Sequence, residues 1–232
     1  MSQELYQEVH SKTVDAKIVI ADPPPVLVSP WRPAHAAAKR ALDLVGASFG
    51  VLLVSPLLIV AAVAIKLDSR GPVLFRQLRM GRGMKPFSIL KFRTMVVDAP
   101  QLGNALTVGR DPRITRVGRV LRRTKLDELP QLINVLKGDM SLVGPRPEVP
   151  EYVALYREDY ERILTVRPGI TGLASIKYRH EAEILAQAEN PEHEYVTRVL
   201  PEKIALAEEY LRRATLVFDV TLMLKTLTRL FV

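Results

Sequence analysis

The chain has 232 residues, 48% of them hydrophobic, a formal charge of +8 and an isoelectric point near 9.8. That length supports one globular core of ordinary size, and the absence of cysteine excludes disulfides, thiolate nucleophiles and zinc–cysteine sites. The positive balance calls for an anionic partner (nucleic acid, anionic lipid or a phosphorylated substrate), and it is concentrated between Lys66 and Arg146, which hold 17 cationic and 6 acidic residues.

Residues 1–35 read as a proline-rich tail, interrupted by Pro23-Pro24-Pro25, Pro30 and Pro33 and lacking the cleavage pattern of a secretory signal. From Leu44 to Ile65 no residue is charged, a run of 22 residues that is long enough for a membrane helix. Arg32, Lys39 and Arg40 precede it and Lys66, Arg70, Arg76 and Arg79 follow, so positive-inside bias draws both ends to the cytoplasm. Ser55-Pro56 falls near the middle, where proline removes an N–H and kinks a helix, and serine or water can satisfy the freed backbone. A kinked, re-entrant helix meets both constraints better than a straight span.

Val73–Met80 and Phe87–Arg93 read as two short strands joined by a turn containing Gly81, Gly83 and Pro86. Lys91 and Arg93 are two apart, so a strand would put them on one face, as an ordinary exposed strand also would. Ile114, Val117 and Leu121 with the intervening arginines predict a basic amphipathic helix, compatible with a membrane surface. It leads into Thr124-Lys-Leu-Asp-Glu-Leu-Pro-Gln-Leu132, two adjacent carboxylates amid arginine and lysine. Leu126, Leu129, Leu132, Ile133 and Leu136 recur at helical spacing, and Thr124 with Asp127 fits a capping box. Asp127 and Glu128 are thus expected near a helix start, where the dipole favours negative charge. For an isolated Asp-Glu pair simple capping is the commoner explanation; the surrounding unmatched cations point instead to an anionic substrate. Arg122 lies one or two turns away, and prolines on both sides stiffen the loop that presents Arg146 for bidentate phosphate contact. Residues 151–165 read as one charged helix, Arg167–Gly172 as a glycine turn and Leu200–Leu211 as a helix, while 215–232 packs or lies at an interface. The four histidines show no metal-ligand spacing.

Taken together, Lys39-Arg-Ala-Leu-Asp-Leu, the apolar run with Ser55-Pro56, Gly71-Pro-Val-Leu-Phe-Arg-Gln, Lys91-Phe-Arg-Thr-Met, Leu126-Asp-Glu-Leu-Pro-Gln-Leu, Lys137-Gly-Asp-Met-Ser-Leu-Val-Gly-Pro-Arg-Pro and Arg167-Pro-Gly-Ile-Thr-Gly-Leu stand in an order that resembles the bacterial sugar transferases. These are monotopic polyprenyl-phosphate phosphoglycosyl transferases, and the resemblance spans about residues 36 to 232; the ordered set is specific where each motif alone is not. It implies an α+β, mainly helical chain: a re-entrant membrane helix hairpin over 36–66, then a cytosolic catalytic domain over 67–232 with a small β-hairpin and amphipathic interfacial helices. It also implies transfer of a sugar 1-phosphate from a nucleotide diphosphate sugar, usually a UDP-sugar, to polyprenyl phosphate, with release of UMP. By the resemblance Asp127 is the nucleophile and a Mg²⁺ ligand, and Glu128 a base or orienting group for the acceptor. Lys91, Arg93, Arg122 and Arg146 are the expected phosphate-binding residues. The cytoplasmic face of the bacterial inner membrane is the expected location, a homodimer is left open, and larger relatives carry a multi-helix membrane region that the short tail is expected to lack. Ser175-Ile-Lys-Tyr-Arg-His180 departs from the family pattern of glutamine and a glycine turn, which bears on donor specificity. Nucleic acid is not an expected partner, since neither paired aromatic strands nor zinc spacing is present.

Overall fold

The computed structural model describes residues 33–99, 102, 106–109 and 111–230; nearly all of the expected tail, and Arg110, fall outside the described residues. Its first element, helix α1, runs from Pro33 to Asp68 and contains Pro56. Pro56 offers no N–H to the carbonyl four residues back, that of Leu52. The Ser55 hydroxyl donates to that carbonyl at 2.8 Å, which replaces the missing bond. The segment is therefore a single helical element through the proline.

One face of α1 is packed along its length. Lys39, Asp43, Ala47, Ala61 and Ile65 are buried, and Val51, Val54 and Leu58 lie against the same cores. The three- and four-residue spacing of these positions makes one stripe. Small residues let the helix approach: a Cβ on Gly46 would stand 2.6 Å from the Leu142 side chain. On the outward face Val45, Phe49, Leu52, Leu53, Val60, Val63 and Leu67 are all exposed.

Strands β1 (Leu74–Met80) and β2 (Pro86–Phe92) pair antiparallel, from Leu74 opposite Phe92 to Met80 opposite Pro86, as the hairpin pattern predicts. Helix α2 (Arg116–Thr124) begins at Thr115, whose hydroxyl accepts the Gly118 N–H. Gly118 meets the chain after β2 so closely that a Cβ there would lie 2.1 Å from the Thr94 carbonyl oxygen. Helix α3 (Gln131–Lys137) is strapped to β2 by Asn134, which accepts from Leu90 N–H at 3.0 Å and donates to the Ser88 carbonyl at 2.8 Å.

Two segments expected to be loops carry strands. β3 (Ser141–Val143) and β4 (Gly169–Thr171) pair in parallel, and glycine permits it: a Cβ on Gly169 would stand 2.1 Å from the Gly144 nitrogen. Between them the single helix expected over 151–165 is two, α4 (Pro150–Leu155) and α5 (Arg157–Ile163). Tyr156 leaves helical geometry at φ −126°, ψ 42°, and its hydroxyl donates to the Val196 carbonyl at 2.9 Å. Short helices α6 (Leu173–Lys177), α7 (Glu181–Leu185) and α8 (Pro191–Glu194) and a π turn (Tyr195–Val199) lead to α9 (Leu200–Arg213) and α10 (Leu216–Leu230). Their apolar faces form the main core with Tyr160, Leu164, Leu200 and Leu222.

The Lys39-to-Asp43 motif is explained here. Lys39 Nζ lies 2.9 Å from Asp43 Oδ1 and 3.0 Å from Asp219 Oδ2, and donates to Ser141 Oγ at 2.5 Å. Asp43 also accepts from the Leu142 N–H, and the Tyr210 hydroxyl is 2.9 Å from Asp219 Oδ1. Arg40 donates to the Val135 and Leu136 carbonyls at the C-terminus of α3, where a cation is favoured. The start of α1 is thereby tied to β3, α3, α9 and α10.

Candidate active site

Lys125 ends α2 in the left-handed region at φ 59°, ψ 15°, an uncommon conformation for a residue with a Cβ. That reversal turns the chain inward, and Leu126–Glu128 form a 3₁₀ turn ahead of α3. The expected capping box does not form. Thr124 is still inside α2, its hydroxyl bonded back to the Val120 carbonyl at 2.8 Å, and the two acids precede α3 rather than occupying its first turn.

The turn gives the two carboxylates unequal surroundings. Glu128 Oε1 accepts from Lys91 Nζ at 3.0 Å and from Arg146 Nη2 at 2.8 Å, so β2 and the loop after β3 converge on it. Asp127 is buried, and no described group donates to its Oδ1. Burial alone would raise the Glu128 pKa, but Arg146, Lys91 and Lys125 together hold it well below the ordinary carboxylate range. For Asp127 burial, and then the neighbouring Glu128 charge, outweigh Lys91, Arg122 and Lys125 and push its carboxyl up.

Two further cations act on the pair. Arg122 is held by its Nε, which donates to Thr94 Oγ1 at 2.9 Å, and Asp127 is the acid that most stabilises its charge. Burial lowers the Lys125 pKa, opposed chiefly by Glu128. Neither is ion-paired among the described residues. Lys91, Arg122 and Arg146 thus come together as expected. Arg93 is engaged elsewhere: its guanidinium donates to the Arg70 carbonyl at 2.7 Å and to the Ser69 carbonyl and hydroxyl at 2.8 and 2.9 Å. Lys125, which is not among the expected phosphate-binding residues, also acts on both acids, and its place beside them in the sequence is the one signal of this.

Chemically this is a cationic cradle around one partnered and one unpartnered carboxylate. Four cations exceed what two acids can neutralise, which suits a phosphorylated ligand. The bare oxygen of Asp127 is a hard donor suited to Mg²⁺. No group of three or more His, Cys, Asp or Glu fit to hold a metal occurs among the described residues. One or two carboxylates nonetheless suffice for Mg²⁺ when substrate phosphates complete its shell, so the residues fit the ion.

Residues 34–232 match the family described as bacterial sugar transferase. The chain belongs to that family. It is 51% identical over 152 residues to the UDP-glucose:undecaprenyl-phosphate glucose-1-phosphate transferase of Caulobacter vibrioides, covering 60% of this chain and 53% of that protein. A protein of the same name from Escherichia coli is 40% identical over 212 residues, covering 90% of this chain and 43% of the relative. The UDP-N-acetylgalactosamine-undecaprenyl-phosphate N-acetylgalactosaminephosphotransferase of Aeromonas hydrophila is 39% identical over 200 residues, covering 84% and 44%. The chain spans about half the length of these curated relatives.

Proposed function

We propose that this sugar transferase moves a sugar 1-phosphate from a UDP-sugar to undecaprenyl or a similar polyprenyl phosphate, releasing UMP. The product is a polyprenyl-diphosphate-sugar, the first membrane-bound unit of a bacterial surface polysaccharide or glycoconjugate. The observation that carries this reading is the buried, unpartnered Asp127 oxygen beside an ion-paired Glu128 in a cationic cradle. Relatives whose names state this chemistry support it.

Asp127 attacks the phosphorus that bears the sugar. A bond forms from its carboxylate oxygen to phosphorus, the bond to the bridging oxygen breaks, and UMP leaves with the electron pair. Arg122, Lys125, Arg146 and Lys91 hold the phosphates and offset the charge that would repel the carboxylate. An oxygen of the lipid phosphate then attacks the aspartyl phospho-sugar and frees Asp127. Glu128 orients Lys91 and Arg146 rather than collecting protons, because an acid held so far below its ordinary range is a weak base. The acceptor needs little help: the second pKa of a phosphate monoester is about 6. Mg²⁺, held by Asp127 with the donor diphosphate, would supply further neutralisation of phosphate charge.

The lipid acceptor fits the shape of α1. A helix packed along one face against the globular domain from Lys39 to Asp68 enters and leaves on that domain's side. Its outward apolar face can then sink into one leaflet, as a re-entrant helix does, with the domain at the cytoplasmic surface. The site is thereby kept near headgroup depth.

The test is UMP release by detergent- or nanodisc-held protein with Mg²⁺, undecaprenyl phosphate and a panel of UDP-sugars. Lipid-dependent release with at least one donor, lost in Asp127→Asn, is expected, along with trapped phospho-sugar on Asp127 when lipid is withheld. Full activity of Asp127→Asn would sink the mechanism. Because one relative is named for glucose and another for N-acetylgalactosamine, the panel also identifies the sugar.

A further inference from the structure

Behind the cradle lies a second charged network that the reaction does not use. Glu148, two residues past Arg146, is buried and accepts three donors: Arg79 Nη1 at 2.5 Å, Tyr195 OH at 2.6 Å and its neighbour's Val149 N–H at 2.9 Å. Tyr195 in turn accepts from Lys203 Nζ at 3.2 Å, and Lys203 is ion-paired with Glu181 of α7. The same Arg79 group reaches the Pro147 carbonyl at 3.3 Å. The backbone is pinned on both sides of Arg146: the Met80 N–H donates to the Glu148 carbonyl at 2.9 Å, and the Gly169 N–H to the Pro145 carbonyl at 2.8 Å. With φ fixed at Pro145 and Pro147 by their rings, the Arg146 side chain is the one part of this loop left to reach outward. It reaches Glu128.

We infer that Glu148, gripped by Arg79 and Tyr195, is a positioning residue that aims Arg146 at the phosphates of the donor. The charge arrangement supports this. Arg79 pairs with Glu148 and Lys203 with Glu181, so the network is near neutral; Glu128 is the acid that most stabilises the Arg146 charge, with Glu181 and Glu148 adding less. A buried ion pair with both partners in place is no sign of added stability, and its frequent use is to fix one geometry. Here the geometry fixed is that of a guanidinium, whose bidentate binding depends on orientation more than on charge.

The inference rests on the reading of Arg146 as a phosphate ligand, so its test uses binding as well as turnover. UDP affinity is measured by calorimetry in the Asp127→Asn background, which removes the proposed covalent step. The series is Glu148→Gln, Tyr195→Phe, Arg146→Lys and the two doubles with Arg146→Lys. Glu148→Gln is expected to weaken UDP binding about tenfold to a hundredfold, as a misplacement near 1 Å does. Tyr195→Phe should act in the same direction and more weakly. In the doubles the losses should not add, because both changes act through one side chain. Leu222→Ala, a buried core change in α10, an element that contributes no residue to this network, should lower the melting temperature and leave UDP affinity alone.

Should Glu148→Gln fail to fold, Tyr195→Phe keeps both charges and carries the cycle by itself. Additive losses, or undiminished affinity in a folded variant, would overturn the inference. So would wild-type protein that does not bind UDP, since Arg146 would then have nothing to be aimed at. Normal UDP cycles with no UMP release from any donor would instead condemn the reaction while sparing the clamp.

Discussion

Two of the buried charge clusters among the described residues, one at the start of α1 and one at the 3₁₀ turn, are built on opposite plans. At the start of α1, Lys39 stands between Asp43 and Asp219; Ser141 and the Leu142 N–H also donate to Asp43 Oδ1, and Tyr210 donates to Asp219 Oδ1. Acids outnumber cations there, and burial followed by the nearby Asp43 raises the Asp219 pKa against the pull of Lys39 and Tyr210. At the 3₁₀ turn the balance reverses: cations outnumber acids, and the Asp127 oxygen has no partner. Both contain a carboxylate with a raised pKa, so that property does not separate a site from a latch. Partnering does. A cluster closed on itself joins elements, whereas one with an open acid and surplus cations awaits a ligand.

The comparison is broken most directly by exchanging the same change between clusters. Asp127→Asn should reduce UMP release by about 10⁴-fold or more, the scale of losing a nucleophile. Asp219→Asn should keep turnover within about twofold, because its neighbours can still hydrogen-bond an amide. Similar losses in both would mean that the latch is part of the chemistry.

Stability should divide the other way. Lys39→Met strands two buried carboxylates, and removing one member of a buried pair costs about 3–5 kcal/mol. The variant is expected to melt many degrees lower in nanodiscs, with partial recovery on adding Asp219→Asn. Lys91→Met removes a cation from the cradle, but Glu128 keeps Arg146, so its melting temperature should change little while KM for the donor rises. An unchanged melting temperature in Lys39→Met would show that the latch does not hold α1 in place.

Arg93 gives a finer division. Its three donors end on Ser69 and Arg70, so Arg93→Met should lower stability by about 1–3 kcal/mol and leave the KM of the folded fraction near wild type. A selective rise in KM without loss of stability would return Arg93 to the phosphate site.

What the amino-acid order showed of this, and what it hid, follows from the range of the forces involved. The hairpin was legible because alternation and the Gly81–Pro86 turn are local, and α2 because its apolar residues recur within nine positions. The convergence of Lys91, Arg122 and Arg146 on the acids was legible as charge composition and as a family resemblance. The αL conformation of Lys125 was not: no local propensity asks a lysine for it, and packing at the end of α2 imposes it. Thr124 misled for the same reason, since a capping pattern is indistinguishable in sequence from a threonine that closes the preceding helix. β3 and β4 were hidden because three-residue strands joined across a long connection leave no periodic signal. Lys39 and Arg40 read as topological charges, yet Lys39 is enclosed among acids and Arg40 caps α3; only the tertiary contacts distinguish those uses.

The smallest effect is the most discriminating about the dyad itself. Asp127 reacts as the carboxylate, so kcat/KM at saturating Mg²⁺ should rise with pH through its pKa, which lies above the ordinary 3.8. Glu128→Gln removes one of the causes that hold it up and frees Lys91 and Arg146 to act on it. The acid limb should therefore move to lower pH even as the rate falls. Lys91→Met removes a cause that holds it down, so there the limb should move to higher pH. Stability gives an independent sign. A pKa raised on folding means that ionisation is harder in the folded protein, so the contribution of Asp127 to stability is lost as pH rises through the folded value. In metal-free buffer, Asp127→Asn should accordingly melt higher than wild type at neutral pH, by about 1 kcal/mol on the scale of other function-limiting groups, with the gap closing as pH falls. Limbs that shift in the same direction in Glu128→Gln and Lys91→Met would show that the two residues do not act on Asp127 through their charges, and that its place in the cradle is set by something other than the balance of acids and cations around it.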